Sequence, residues 1–395
     1  MTAPSPASRL RVSRKAELFV ESVIREMTRV ANAHGALNLA QGFPDFAAPE
    51  PLKEAAVRAI RADVNQYAVT WGAAKLRAAI GTFMQQRRGV TIEPDEQVTV
   101  VCGGTEGMIA AMMGILDPGD EVLIPEPFYE NYGPDGILSG AVPVFVPLGE
   151  GFRLDVEALR RALTPKTRAV VLNTPHNPTG RVFDEAEMEA LCAFVCEHDL
   201  LLFTDEIYEE ILYTGPHQCP LLRPGMAERT VVVSGASKTY SITGWRIGWV
   251  ISPPELTSGV RKVHDFLTVG AAAPLQEAVA EALLWEDAYY EGMRREYQAR
   301  RDRMVSDLRA AGFGCEVPEG AYYVMADCHA LQRPGENDVH FAMRLVKDAG
   351  VATVPGSSFY QDAEDGAHLT RFCYAKKMET LEAAGKRLRE WAARG

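Results

Sequence analysis

No apolar run in the 395-residue sequence approaches the ~20 residues that a membrane-spanning helix needs; the longest, near Met108 to Leu116, stops far short. No basic tract occurs either. Lys and Arg total 41 against 53 Asp and Glu, a net charge of −12, which makes nucleic acid or an anionic membrane a poor partner. No G-x-G-x-x-G follows a strand-like run, and that counts against a nicotinamide-dependent oxidoreductase. The seven cysteines are odd in number and dispersed, which argues against a disulfide framework. Cys192 and Cys196 stand i,i+4 on an expected helix, but no second Cys/His pair with zinc spacing follows. Reduced, packed thiols and no metal are expected. No repeat and no low-complexity linker interrupts the chain. The polar segment Met1 to Lys15 lacks the apolar core of a secretory signal; it is expected to be a loose arm, and the protein to be cytoplasmic. What is there is an ordinary globular composition, 47% hydrophobic and 24% charged, enough for two domains or one large and one small.

The most informative stretch runs from Ser234 to Gly248. Thr230 to Val233 is short and β-branched, so it reads as a buried strand. Lys238 follows that strand's end, where open α/β sheets place their ligands. A further strand is expected from Arg246 to Ser252. A lysine after a strand is usually a solvated charge. Here its neighbours are Ser, Gly and Ala, which cover nothing and let a flat anionic ligand approach the backbone. A lysine desolvated beside another cation has a depressed pKa and can join a carbonyl as a Schiff base. Arg246 suits a phosphate, gripped by its planar fork. A carbonyl and a phosphate on one ligand suggest pyridoxal phosphate (PLP).

Earlier in the chain, Gln97 to Cys102 reads as a strand, Gly103 to Gly107 as a glycine-rich turn, and the run to Leu116 as a helix. Strand, glycine turn and helix make a cradle in which backbone N–H groups and the helix dipole favour an anion. Further strands are expected at Asp120–Ile124, Ala141–Pro147, Arg168–Asn173 and Asp199–Phe203, the last running into Thr204-Asp205-Glu206-Ile207-Tyr208. Helices are expected at Leu18–Ala33, Pro51–Asp63, Gly72–Arg87, Asp155–Leu163, Val260–Leu267, Pro274–Trp285 and Tyr290–Ala311. Strands near Ala321–Ala326, Gly350–Val354 and Leu369–Tyr374 with two helices complete the C-terminal part.

Gly235-Ala236-Ser237-Lys238, Ser241-Ile242 and Gly244-Trp245-Arg246-Ile247-Gly248 resemble the PLP-attachment segment of class I/II aminotransferases, nearest the kynurenine, glutamine, aromatic and methionine subgroup. The resemblance runs from about Gln41 to Tyr374, with the motifs in the family's order. It implies that Gly104, Thr105, Glu106, Ser237 and Arg246 hold the phosphate end, and that Tyr129 stacks on the pyridine ring. It implies that Asn177, in Asn173-Thr174-Pro175-His176-Asn177-Pro178, donates to the phenolic oxygen beside Tyr208, with a cis bond at Asn177–Pro178. Asp205 would face the pyridine nitrogen and keep it protonated, so that the ring drains electrons from the α-carbon. Tyr67 would reach the cofactor of a neighbouring subunit, which requires a homodimer. Gly42, Asn177 and Arg371 would meet the substrate, Arg371 gripping the α-carboxylate. Without the resemblance each has a plain reading: Asp205 as a helix cap, Tyr67 and Tyr129 as packing aromatics, Arg371 as a solvated strand cation. His176 is expected to be structural. One departure stands out: some relatives carry a phosphate-binding serine where this chain has Gly235, so Ser237, or failing it Ser234, must supply that contact.

The expected fold is α/β, fold type I: a large PLP-binding domain over 49–288 with a mostly parallel central sheet flanked by helices. A smaller α+β domain combines residues 1–48 with 289–395. The expected activity is ping-pong amino transfer from an L-amino acid to a 2-oxo acid, with Lys238, Asp205 and Tyr208 as catalytic residues. Candidate aromatics Phe19, Tyr67, Tyr129 and Phe359 suit aromatic amino acids, methionine, glutamine or kynurenine rather than aspartate. The alternative is a PLP-dependent cysteine-conjugate β-lyase, which needs the same residues and consumes no amino acceptor. A PLP-sensing transcription regulator would need a helix-turn-helix that the N-terminal arm is too short to hold.

Overall fold

The computed structural model describes residues 12–394; most of the N-terminal arm expected over Met1 to Lys15 lies outside them. Seven strands form the central sheet in the spatial order Val98–Val101, Gly248–Ile251, Thr230–Gly235, Leu201–Asp205, Thr167–Asn173, Glu121–Glu126, Val142–Pro147. Gly248–Ile251 runs antiparallel to both neighbours and the remaining pairs are parallel. Thr230–Gly235 and Val98–Val101 are buried at every position, and Leu201–Asp205 at all but its last, as expected of strands covered by helices on both faces. Among the described residues no helix is long and apolar enough to cross a membrane.

Two glycines decide how close the strand ends come. A Cβ on Gly235 would meet Gly248 Cα and Ile247 O, and one on Gly248 would meet the backbone of Gly103 and Gly104, all within 3 Å. Gly235 is directly paired with Gly248. The loops carrying Thr105, Ser237 and Arg246 are thereby drawn to one edge of the sheet. This also explains the glycine at 235: a serine there has no room.

A second, four-stranded sheet contains Gly314–Cys315, Tyr323–Asp327, Leu369–Cys373 and Val354–Pro355. The expected single strand at Gly350–Val354 is in fact two. Val351–Ala352 pairs in parallel with Leu37–Asn38, and Val354–Pro355 pairs with Leu369–Cys373. Residues from near the chain's start are thus stitched beside its end. The 24-residue helix Asp287–Ala310 leads from the central sheet to this second one. It buries Tyr297, Met304, Val305 and Leu308, which join the same core cluster as Tyr322, Val324 and Phe372.

Several boundaries differ from expectation for local reasons. The first long helix begins at Val23 rather than Leu18, because Ser22 caps it by accepting the Arg25 N–H. The strand expected from Arg246 starts at Gly248, since Arg246 has φ 56°, a left-handed conformation no strand accommodates. The cis bonds lie at Glu126–Pro127 and Thr174–Pro175, not at Asn177–Pro178. The turn after Asn177 is closed instead by hydrogen bonds from His176 N–H to Arg181 O and from Gly180 N–H to His176 O, both 2.8 Å.

Candidate active site

A cavity of about 400 Å³ opens where the C-terminal ends of the parallel strands meet the second sheet. Lys238, Asp205, Tyr208, Asn177, Tyr129, Ser237, Gly104, Thr105, Arg246, Gly42 and Arg371 all line it. They come from segments hundreds of residues apart.

Lys238 is aimed across the cavity. Its Nζ donates to Gly42 O at 3.3 Å and stands 5.7 Å from the Tyr208 ring centre. Burial pulls its pKa down to about 8, with the positive charges of Arg246 and Arg371 adding to the effect. Near neutral pH about a tenth of this amine is therefore unprotonated and nucleophilic, far more than for an ordinary lysine. Asp205 ends the Leu201–Asp205 strand. Its Oδ2 accepts the Tyr132 hydroxyl at 2.8 Å and its Oδ1 the Ile207 N–H at 3.2 Å. Burial raises its pKa, while those two donors and Lys238 work the other way and favour the anion. Asn173 Nδ2 donates to Asp205 O, and Asn173 Oδ1 accepts the Asn177 N–H at 2.6 Å, which ties the Asn177 turn to the same strand end.

Arg371 is fully buried. Its Nη1 donates to Asn177 Oδ1 and its Nη2 to Ala40 O, each at 2.8 Å. The guanidinium lies between the rings of Tyr323 and Phe359, at 4.3 and 5.0 Å from their centres, and its Nε has no partner. No carboxylate neutralises it among the described residues. The glycine turn and its surroundings are as distinctive. Gly103 has φ 81°, and a Cβ there would run into the Arg246 guanidinium. Ser237 Oγ is buried at the cavity wall with no hydrogen-bond partner, whereas Ser234 Oγ is taken by Glu209 Oε1 at 2.6 Å. Of the two serines, only Ser237 is left for a ligand.

Two expected residues are not in this constellation. Glu106 turns away: its carboxylate accepts the Cys102 N–H at 2.9 Å and pairs with His264 at 3.0 Å. Burial opposes a charge on His264, yet Glu106 and the Thr70 carbonyl hold its pKa above the usual imidazole range. Glu106 therefore fixes the helix start behind the glycine turn rather than facing the cavity. Tyr67 is 89% exposed and outside its own chain's cavity. Of the four aromatics proposed for the substrate, only Tyr129 lines the cavity; Phe359 is core packing behind Arg371. His176 is buried against Thr179, its pKa pushed down to about 3 by burial, away from the lining residues. Cys192 and Cys196 are free thiols.

Sequence reasoning missed Tyr132 and Tyr323. Tyr132 opens the helix Tyr132–Ser139, whose Gly133, Pro134 and Gly136 disguise it as a loop. Tyr323 reaches the site from the second sheet, its hydroxyl 2.9 Å from that of Tyr208.

A lysine with a depressed pKa, a carboxylate held by two donors, and a glycine cradle beside an arginine and an unpartnered serine fit PLP. The family described as aminotransferase class I and II matches residues 35–388. The chain belongs to the class I and II aminotransferases. It is 41% identical over 388 residues to a probable N-succinyldiaminopimelate aminotransferase from Mycobacterium tuberculosis, covering 95% of this chain and 97% of the relative. It is 36% identical to a methionine aminotransferase from Escherichia coli, covering 93% and 95%. The solved structure of N-succinyldiaminopimelate aminotransferase from M. tuberculosis superposes with a TM-score of 0.93 at 40% identity, over 96% of this chain and 100% of that one. Aminotransferases of this family depend on PLP and share the fold type I architecture, here with its mostly parallel seven-stranded sheet.

Proposed function

We propose that Lys238 is the covalent anchor and the proton carrier of a ping-pong L-amino acid aminotransferase. Bound PLP supplies an electron sink for the bond being broken at the substrate's α-carbon. This chain's residues do the rest. Lys238 Nζ, whose pKa is lowered to about 8, would take the substrate's α-proton as general base and later give it up as general acid. Asp205, whose pKa burial raises while the Tyr132 and Ile207 donors partly stabilise the anion, would hold the ring nitrogen's proton. Tyr208 and Asn177 would hold the phenolic oxygen, and Ser237, Gly104, Thr105 and Arg246 the phosphate. Arg371, already paired through Asn177 and Ala40, would turn its free Nε side and planar fork to the α-carboxylate. The observation that carries this reading is the placement of an amine with a depressed pKa in one cavity with a two-donor carboxylate and an arginine that has no acid partner.

Tyr129, Tyr132, Tyr208, Tyr323 and Phe43 place five aromatic rings in an otherwise mostly polar lining, leaving room for a long side chain. Methionine, glutamine, aromatic amino acids and kynurenine fit it. The M. tuberculosis relative's named substrate, N-succinyldiaminopimelate, is also long. We further propose a homodimer in which Tyr67 serves the partner's site. Incubating the holoenzyme with a panel of L-amino acids and 2-oxo acids tests the activity: amino transfer with matched consumption of an acceptor is expected. Release of pyruvate and a thiol from cysteine conjugates, with no acceptor consumed, would establish the β-lyase instead.

A further inference from the structure

Four cations line the cavity: Lys238, Arg246, Arg371 and Arg25. The first three have places in the reading above. Arg246 lies at the glycine cradle, donating to Thr243 O at 2.9 Å, and Arg371 is locked by Asn177 and Ala40. Arg25 has no such place. Its backbone N–H is used by the Ser22 cap. Among the described residues its guanidinium makes no hydrogen bond or ion pair.

The nearby acids are already engaged. Glu21 pairs with Arg29 at 2.6 Å, and Glu130, which lines the same cavity, accepts the Ser22 hydroxyl. The position itself is unfavourable for a cation. Arg25 is the third residue of the helix Val23–His34. A first-turn arginine opposes the helix dipole, and the third position after a serine cap is where Glu or Gln would complete a capping box. A local rule is broken here with no compensating contact among the described residues, which is the pattern expected where a side chain is kept for a ligand. Ser22 and Ile24 line the cavity beside it, so the first turn of this helix forms part of the substrate wall.

We infer that Arg25 reads a second carboxylate, at the far end of the substrate's side chain, and so fits this site to dicarboxylic amino acids and 2-oxo acids. The inference rests on the aminotransferase reading and extends it: in a ping-pong cycle one cavity takes two substrates in turn. The aromatic rings of Phe43, Tyr129 and Tyr323 suit one, and Arg25 provides for a partner with a distal carboxylate. A planar guanidinium without a competing acid offers two parallel donors to such a group.

The test uses the holoenzyme and Arg25→Met, which keeps the length of the side chain and, being exposed, is expected to fold. Calorimetric titration with glutarate and with butyrate compares two unreactive acids that differ by one carboxylate. Glutarate binding should weaken about 10- to 100-fold in the variant, the range for losing charge-assisted hydrogen bonds, with butyrate unchanged. In the amino-donor half-reaction, KM for glutamate should rise with kcat held, while phenylalanine and methionine keep both constants. Equal glutarate affinity in the two proteins, or equal losses for glutarate and butyrate, would overturn the role of Arg25 and mark it as a solvated surface cation. A wild-type holoenzyme that binds glutarate selectively through Arg25 yet transfers no amino group from any donor would defeat the aminotransferase reading instead.

Discussion

Two buried arginines, Arg88 and Arg371, show how differently this protein treats a charge. Arg88 is 5% exposed in its side chain and surrounded by acids: it bonds Glu209 at 2.9 Å and Glu210 at 2.8 Å, and Glu210 also takes Arg87 and Arg294. Every charge in that cluster has its opposite. Arg371 is buried more completely but meets only an amide oxygen, a carbonyl and two aromatic rings, with one N–H left over. Asp205 and Glu210 sit within one short segment and repeat the contrast: one faces the cavity with neutral donors, the other is saturated by three arginines. A buried charge neutralised within the chain serves the fold. One left short of a counter-ion at a cavity wall is available to a ligand.

This contrast can be broken from either side. The largest effect should come from Lys238→Ala: amino transfer should fall by about 10²- to 10⁴-fold, the range for a positioned acid–base group, while the melting temperature stays near that of the wild type. Retained turnover would remove the lysine from the chemistry. Glu210→Ala should do the opposite. Leaving Arg294 without an acid, and Arg87 and Arg88 with only Asp287 and Glu209, should cost about 3 kcal/mol in denaturant unfolding at fixed protein concentration. The surviving folded enzyme should keep its kcat/KM.

Arg371→Met should lower kcat/KM for every amino acid by about 2–5 kcal/mol, because each has an α-carboxylate to leave unpaired. It should lose less stability than Glu210→Ala, since no buried acid is orphaned. Comparable unfolding losses in the two variants would erase the distinction. Tyr132→Phe should be milder, about 1.5–3 kcal/mol, by removing one donor to a charged Asp205. The effect belongs in kcat and in the pH response of the cofactor's absorbance rather than in substrate KM.

The smallest effect is one of pH. A lysine whose pKa is lowered to about 8 loses its proton as pH rises through that value. Capture of an aldehyde by the apoprotein should therefore accelerate up to about pH 8 and level off above it. An inflection near the ordinary lysine value would show that burial does not tune this amine.

Much of the site is written in short contiguous strings because strand ends and their turns are local structures. Lys238 after Thr230–Gly235, Asp205 ending its own strand, and the glycines at 103 and 104 could all be placed on the ligand side of the sheet from pattern alone. Long-range packing hid the rest. Nothing near Tyr132 shows that its hydroxyl meets Asp205, and helix-breaking neighbours mask the helix it starts. Tyr323 arrives from another sheet. Glu106 sits in the right string yet turns from the cavity because His264, more than 150 residues later, claims its carboxylate. Arg371 depended on resemblance, since a strand arginine has no local mark of burial. Gly235 is the instructive departure: the Ile247–Gly248 backbone and the Ile207 side chain crowd it, a constraint no single segment displays.

The central claim is that one amine, Lys238 Nζ, holds the cofactor. Reducing the PLP-loaded enzyme with borohydride and mapping the modified peptide by mass spectrometry tests it directly. A stoichiometric phosphopyridoxyl adduct at Lys238, absent from Lys238→Ala, is the predicted result; no adduct, or one on any other lysine, would contradict the account.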